Sequence, residues 1–203
     1  MEVFLDNTPE SFLVEVYAHY TNLVHRKKVN LIRLTPAAQQ FIQQGDLKIP
    51  NLPCLITPQG IISNPISICV YFSDISFTSG IMIGKNNDAQ FLSYLDQCKR
   101  IQKNQEVQLA NLNKDLESKV FLVGSHITLA DIIVFAYTYH IITCLDDAAK
   151  WKFNNVFRWY NNVQNLEGMK EFIQNTNRSL SMYPEPLIES EDASAKGKGG
   201  KKK

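Results

Sequence analysis

The stretch Phe121-Leu122-Val123-Gly124-Ser125-His126-Ile127-Thr128-Leu129-Ala130-Asp131-Ile132 decides how the chain must fold. Thr128 followed three residues later by Asp131 is a capping pair. The hydroxyl can accept from the amide three residues on while the carboxylate reaches back to the Thr128 amide, so two donors that a helix start leaves orphaned are satisfied. Ile127 and Ile132 flank the pair and can pack across it as a hydrophobic staple. The residues that follow, Ile132 to Ile142, are apolar on nearly all sides, which predicts a helix central to the core. Such a start has no water to lean on, so Thr128 and Asp131 are a structural N-capping box rather than catalytic groups. His140, on the same helix, is expected as a hydrogen-bonded core residue rather than a base.

On either side of this centre the pattern stays helical to about residue 180. Phe91, Leu92, Leu95, Cys98 and Ile101 mark one helix, and Val107, Leu109, Leu112 and Leu116 mark a second. If the helix beginning near Asn155 buries Val156, Tyr160 and Val163, then Arg158, Asn162 and Asn165 lie on a different, outward stripe. The first eighty or so residues instead alternate strand and helix signals. Val3-Phe4-Leu5 and Val29 to Leu34 are strand candidates, with a helix from Phe12 to Val24 between them and His25-Arg26-Lys27-Lys28 in its last turn. Thr35-Pro36 opens a short helix closed by Gly45; Cys54-Leu55-Ile56 and Gly60-Ile61-Ile62 form a hairpin; Asn64-Pro65 opens another helix. The order βαβαββα is that of a thioredoxin-like half. Ser73 to Asn87 is the weakest-patterned internal segment, so the expected organisation is residues 1–83, residues 84–183, and a tail over 184–203.

Lys and Arg together number 21 and Asp and Glu 20, for a net charge of +1. That average conceals a division. Residues 1–183 hold 16 basic and 16 acidic side chains; then come Glu185, Glu189, Glu191 and Asp192, and finally Lys196, Lys198, Lys201, Lys202 and Lys203. The body is therefore no obvious polyanion binder, whereas the Gly-Lys end offers sequence-independent phosphate contacts that weaken with salt. Without an interleaved aromatic it offers no base stacking. Its composition predicts a disordered tail.

The four cysteines, Cys54, Cys69, Cys98 and Cys144, have neither zinc-site spacing nor the density of a disulfide-stapled secreted domain, so a reducing, cytoplasmic setting is expected with no metal and no cofactor. The N-terminus has no signal-peptide pattern, and the apolar run Ile127 to Ile142 falls short of the ~20 residues of a bilayer span.

A thioredoxin-like half followed by helices whose central member starts with a buried capping box resembles the glutathione transferase fold, over about residues 1–180. The class is α+β, with an all-helical C-terminal subdomain. Phe121 to Asp131 resembles the family's "fLvG..lTlADi" stretch, and Pro53 stands where that family has a proline in cis. Leu109 to Leu116 resembles the "L..LN..L" helix, and Asn155 to Gln164 the "nv.RWf..iq" helix, of the non-catalytic branch: elongation factor 1 gamma, tRNA synthetases and the scaffolds of multi-synthetase complexes and tRNA import.

What a transferase of this family needs is missing from the corresponding positions. Near the first helix only Thr8 and Ser11 could hold a thiolate. Where the family has a Glu/Gln-Ser pair for the γ-glutamyl group, this chain has Asn64-Pro65, and proline supplies neither an amide N–H nor a hydroxyl. The resemblance therefore implies no enzyme but a module that homodimerises and binds glutamyl-, glutaminyl- and methionyl-tRNA synthetases through their own transferase-like domains. In such relatives the arginine of the "RW" motif, here Arg158, stacks on its counterpart and pairs with an acid of the preceding loop, here Asp146 or Asp147. Asn162 shares the Arg158 stripe. The lysine run looks like a linker towards a C-terminal tRNA-binding domain, which would carry most of the tRNA affinity. The alternatives are an elongation factor 1 gamma-like domain and a divergent transferase.

Overall fold

The computed structural model describes residues 1–38, 51–76, 88–101, 103–176 and 178. Among these residues four strands, β1 (Glu2–Leu5), β2 (Asn30–Arg33), β3 (Cys54–Thr57) and β4 (Gly60–Ile62), form one mixed sheet in the order β2-β1-β3-β4. β1 and β2 run parallel, with Val3 opposite Leu31, which requires the crossover helix α1 (Pro9–Tyr20) between them. β3 runs antiparallel to both β1 and β4, and Thr57 to Gly60 closes the expected hairpin. Val3, Leu5 and Leu55 are fully buried on this sheet, against which α1 and α2 (Pro65–Ile75) bring Leu13, Val16, Ile68 and Phe72.

Among the described residues six further helices follow: α3 (Asp88–Ile101), α4 (Gln105–Asp115), α5 (Leu129–Thr143), α6 (Asp147–Lys152), α7 (Asn154–Gln164) and α8 (Met169–Asn175). α5 packs against α1, α3 and α7, and so joins the sheet half to the helical half. All but four of its fifteen residues are buried. This is why its sequence has no polar face.

The start of α5 is built around one carboxylate. Asp131 is fully buried; its Oδ2 accepts from the Thr128 amide at 2.9 Å and the Thr128 hydroxyl at 3.0 Å. Its Oδ1 accepts from the Leu122 amide at 2.9 Å and the Trp159 indole N–H at 2.8 Å. Burial pushes the carboxyl above the ordinary carboxylate range, and these four donors hold it back. Because every contact is a donor, the arrangement serves the ionised form.

Several sequence expectations are corrected. α1 ends at Tyr20, a turn short of Val24, because the Thr21 hydroxyl donates back to the Tyr17 carbonyl at 2.7 Å and Asn22 turns left-handed with φ 61°. The basic residues 25–28 thus lie in the connection to β2. Leu92 and Val107 are exposed at 60% and 50%, so the buried stripes of α3 and α4 run through Tyr94, Cys98 and Ile101 and through Leu109, Leu112 and Leu116. His140 is exposed rather than core, edge-on to Tyr139. Of the helix expected over 35–45, only residues 35–38 are described, helical from 36, with the Thr35 hydroxyl accepting from the Ala38 amide.

Asp131→Asn keeps the shape but turns a donor towards buried donors. We expect a loss of about 3 kcal/mol, roughly 10 °C in Tm for a chain of this size. A urea midpoint unchanged from wild type would contradict this account of the core.

Candidate functional site

At the start of α1 the sequence places its two candidate hydroxyls, and the fold spends both on one carboxylate. Ser11 Oγ donates to Asp6 Oδ1 at 2.6 Å, the Thr8 hydroxyl donates to the same oxygen, and so does the Thr8 amide at 3.0 Å. Thr8 Oγ1 in turn accepts from the Ser11 amide, which makes it the N-cap. Burial acts to raise the Asp6 carboxyl, but the hydrogen bonds from Ser11 and Thr8 outweigh it and hold the group below its ordinary range. An anion already sits where a thiolate would need a donor. Asp6 is the residue that sequence inspection missed here, since a turn aspartate before a cap has no distinguishing spacing.

The start of α2 is similarly occupied. Asn64 Oδ1 accepts from the Ser67 amide at 3.0 Å, and Pro65 removes one amide outright. The Leu52–Pro53 peptide bond is cis. It sets the approach of the chain to β3.

The second candidate region is the strip where α7 packs on α4, with α6 packed on α7. Asn113 Oδ1 accepts from the amides of Asn155 and Val156 at 2.9 and 3.2 Å and so caps the first turn of α7. Asn155 Nδ2 donates back to the Asn113 carbonyl at 3.2 Å. Arg158 answers from the other helix: its Nη2 donates to the carbonyls of Leu116, the C-cap of α4, at 2.6 Å and of Lys119, beyond it, at 3.1 Å. The two helices thus cap each other crosswise. Arg158 remains exposed, but it is an anchored side chain rather than a free one. Asn162, one turn further, is half-buried.

Asp146 and Asp147 do not form a plain loop, as expected, but begin α6. Asp146 Oδ1 accepts from the Ala149 amide at 2.8 Å, and Asp147 pairs with Lys150 at 3.1 Å. Both stay exposed. Within the chain neither is bonded to Arg158. The lysines Lys196, Lys198, Lys201, Lys202 and Lys203 lie outside the described residues.

A groove of about 680 Å³ opens at the far end of α1, between His19, Tyr20 and His25 on one side and Glu167, Glu171 and Phe172 on the other. Among the described residues no group of His, Cys, Asp or Glu is arranged to hold a metal ion. Cys69 and Cys98 are buried and their thiols pushed up by burial, Cys98 to about 12, which leaves neither nucleophilic at neutral pH. No described helix is long and apolar enough to cross a membrane.

Two measurements follow from this geometry. Asn113→Ala strips the cap from α7, and Arg158→Ala leaves the Leu116 and Lys119 carbonyls, at and beyond the end of α4, without this donor. Each should lower stability by about 1 kcal/mol in urea unfolding, and a neutral Asn113→Ala would refute the crosswise cap. His19 stacks on Phe172 at 4.8 Å; burial lowers its imidazole below the ordinary 6.5, against a smaller opposing pull from Glu15. The fold favours neutral His19, so its contribution is complete above pH 6.5 and is lost as pH falls through that value and the lower folded one. Below pH 6.5 the wild type should therefore lose stability more steeply than His19→Gln, with parallel curves as the contrary result.

Comparison with known proteins adds to this geometry. The profile of a family described as "Nuclear-export cofactor Arc1p" matches residues 85–167, the segment from α3 through α7. The chain is 37% identical over 65 residues to human eukaryotic translation elongation factor 1 epsilon-1, covering 32% of this chain and 37% of that protein. It is 34% identical over 86 residues to elongation factor 1-gamma of Drosophila melanogaster, covering 41% of this chain and 20% of the other. The matched part is thus a little over a third of the first relative's length and a fifth of the second's. Among solved structures, the GST-like domain of elongation factor 1-gamma from Saccharomyces cerevisiae superposes with a TM-score of 0.69 at 16% identity, covering 90% of this chain and 96% of that one. Glutathione S-transferase unclassified 2 from Bombyx mori gives 0.65 at 16% identity, covering 88% and 99%. At such identities the likeness is one of architecture: the chain has the glutathione-transferase-like fold, a thioredoxin-like sheet half followed by helices, and over part of its length its sequence is similar to translation-factor and Arc1p-type proteins.

Proposed function

We propose that this chain is a non-catalytic interaction module, which pairs with a second copy through the face carrying Arg158, Asp146, Asp147 and Asn162 and recruits aminoacyl-tRNA synthetases to a tRNA-binding scaffold. The observation that carries the proposal is chemical. The hydroxyls at the start of α1 and the cap of α2 are consumed by Asp6 and Asn64. The segment matched to Arc1p-type relatives, by contrast, contains the whole α4–α6–α7 strip with its exposed, anchored arginine.

The synthetase partners are those for glutamate, glutamine and methionine, bound through their own transferase-like domains. Residues 1–83 and 84–183 act as the two subdomains of the module. The lysines from Lys196 to Lys203 supply salt-sensitive phosphate contacts, with most tRNA affinity in a further C-terminal domain. The site of action is the cytoplasm. Among scaffolds of this kind the general likeness is to the tRNA import protein of apicomplexan parasites, which would add an association with the plasma membrane.

Affinity capture from lysate with immobilised wild type and Arg158→Ala, each first confirmed folded by circular dichroism, tests the proposal. Synthetases should appear among the bound proteins of the wild type. Their absence removes the proposal, and retention on glutathione-agarose with measurable conjugation turnover would replace it with an enzyme.

A further inference from the structure

We infer that the groove at the far end of α1 holds an unpaired ribonucleotide of an RNA strand. The base lies against His19, the ribose hydroxyls donate to Glu167 and Glu171, and the phosphates meet the turn carrying His25, Arg26, Lys27 and Lys28. The inference rests on the RNA-binding part of the proposed function and places the base-contacting element in the folded body rather than in the tail.

The groove joins two chain segments that meet at a glycine. Gly168 takes φ 82°, and a Cβ there would stand 3.7 Å from the Tyr20 Cα, so the wall beginning at Leu166 lies directly against the end of α1. The space of about 680 Å³ has the size of a small-molecule site. His19 supplies its flat surface. The ring is half-buried and backed by Phe172 at 4.8 Å, with Phe172 itself 1% exposed. Burial holds the imidazole below the ordinary 6.5, so it presents a neutral ring. Histidine is among the side chains on which unstacked RNA bases rest.

The turn after α1 adds the cations. The amides of Arg26, Lys27 and Lys28 donate to the carbonyls of Asn22, Val24 and Leu23 at 3.2, 2.9 and 3.0 Å, and Leu23 and Val29 are buried at its two ends. Lys27 sits at φ 54°, a left-handed conformation uncommon for lysine. These amides are spent inside the turn, so contact with a ligand falls to the side chains of residues 25–28, all four of them exposed. His25 lines the groove and the other three follow it directly. No acid occurs from Thr21 to Arg33. The equal count of 16 basic and 16 acidic residues over 1–183 conceals this local excess, because a count carries no positions.

The combination selects the ligand. A simple cation suits Glu167 and Glu171 but is repelled by the turn; a bare phosphate suits the turn but is repelled by the carboxylates. A ribonucleotide unit carries a flat base, hydroxyls that donate to carboxylates, and a phosphate. In a duplex the base is stacked and paired, so the unpaired strand is the form that enters. DNA lacks the 2′-hydroxyl and forfeits that contact with the carboxylates.

Fluorescence anisotropy on the full chain tests this, with a short end-labelled single-stranded RNA, DNA of the same sequence and the RNA as a duplex, each titrated over a range of salt. The single-stranded RNA should bind tightest. His19→Ala should raise its Kd by about tenfold. Glu167→Ala with Glu171→Ala should lower the preference for RNA over DNA. Arg26→Gln, Lys27→Gln and Lys28→Gln together should flatten the slope of log Kd against log salt by about 2, and since these side chains are exposed this variant stays informative even if His19→Ala unfolds. If the groove and turn variants bind as wild type while Lys201→Gln, Lys202→Gln and Lys203→Gln together lose affinity, the tail alone holds RNA and the inference is overturned. Equal affinity of the wild type for RNA and DNA strands also overturns it. A wild type without affinity for RNA removes the RNA-binding part of the proposed function as well, whereas synthetase recruitment is read separately by affinity capture.

Discussion

The Asp131 carboxylate is the constraint on which the rest of the structure depends. A buried charge is tolerated only when its hydrogen-bonding capacity is met, and here the four donors come from three places: the Thr128 cap, the Leu122 amide in the preceding loop and the Trp159 indole on α7. No one of these segments can shift without stranding the charge. Because α5 packs against α1, α3 and α7, fixing its first turn also fixes how the sheet half meets the helical half.

The crosswise capping of α4 and α7 works by the same physics at lower stakes. Helix ends leave amides and carbonyls unpaired, and here each helix supplies the side chain that closes the other. The consequence for function is that Arg158 has two duties. It braces the chain at the end of α4 and, held there, stays exposed. The starts of α1 and α2 are the reverse case, polar groups turned inward on one another with little left for a ligand.

Much of this was legible from one dimension. Thr128 and Asp131 stand at fixed separation on one helix, so their pairing follows from helix geometry; the same holds for Asn64 at the start of its helix and for the burial of Val156, Tyr160 and Val163. What escaped were contacts between residues far apart in the chain. Asn113 is separated from Asn155 by 42 positions, and Trp159 from Asp131 by 28, so no local spacing reveals either. Leu92 and Val107 look like core residues by periodicity alone, because periodicity reports which side chains share a face and not whether another element covers it.

The sequence by itself determined the α+β order and the central apolar helix with its capping box, since each depends on neighbours within a few residues, while the cis-proline position and the departure at Asn64-Pro65 were implied by the resemblance to the transferase family. Only the tertiary structure decided what those groups do: that Asp6 takes the hydroxyls of Thr8 and Ser11, that Asp131 joins a loop to α7, that Arg158 is anchored, and that Trp151 stays outside. The physical reason is that hydrogen-bond satisfaction and burial are properties of assembled surfaces, settled when distant segments meet.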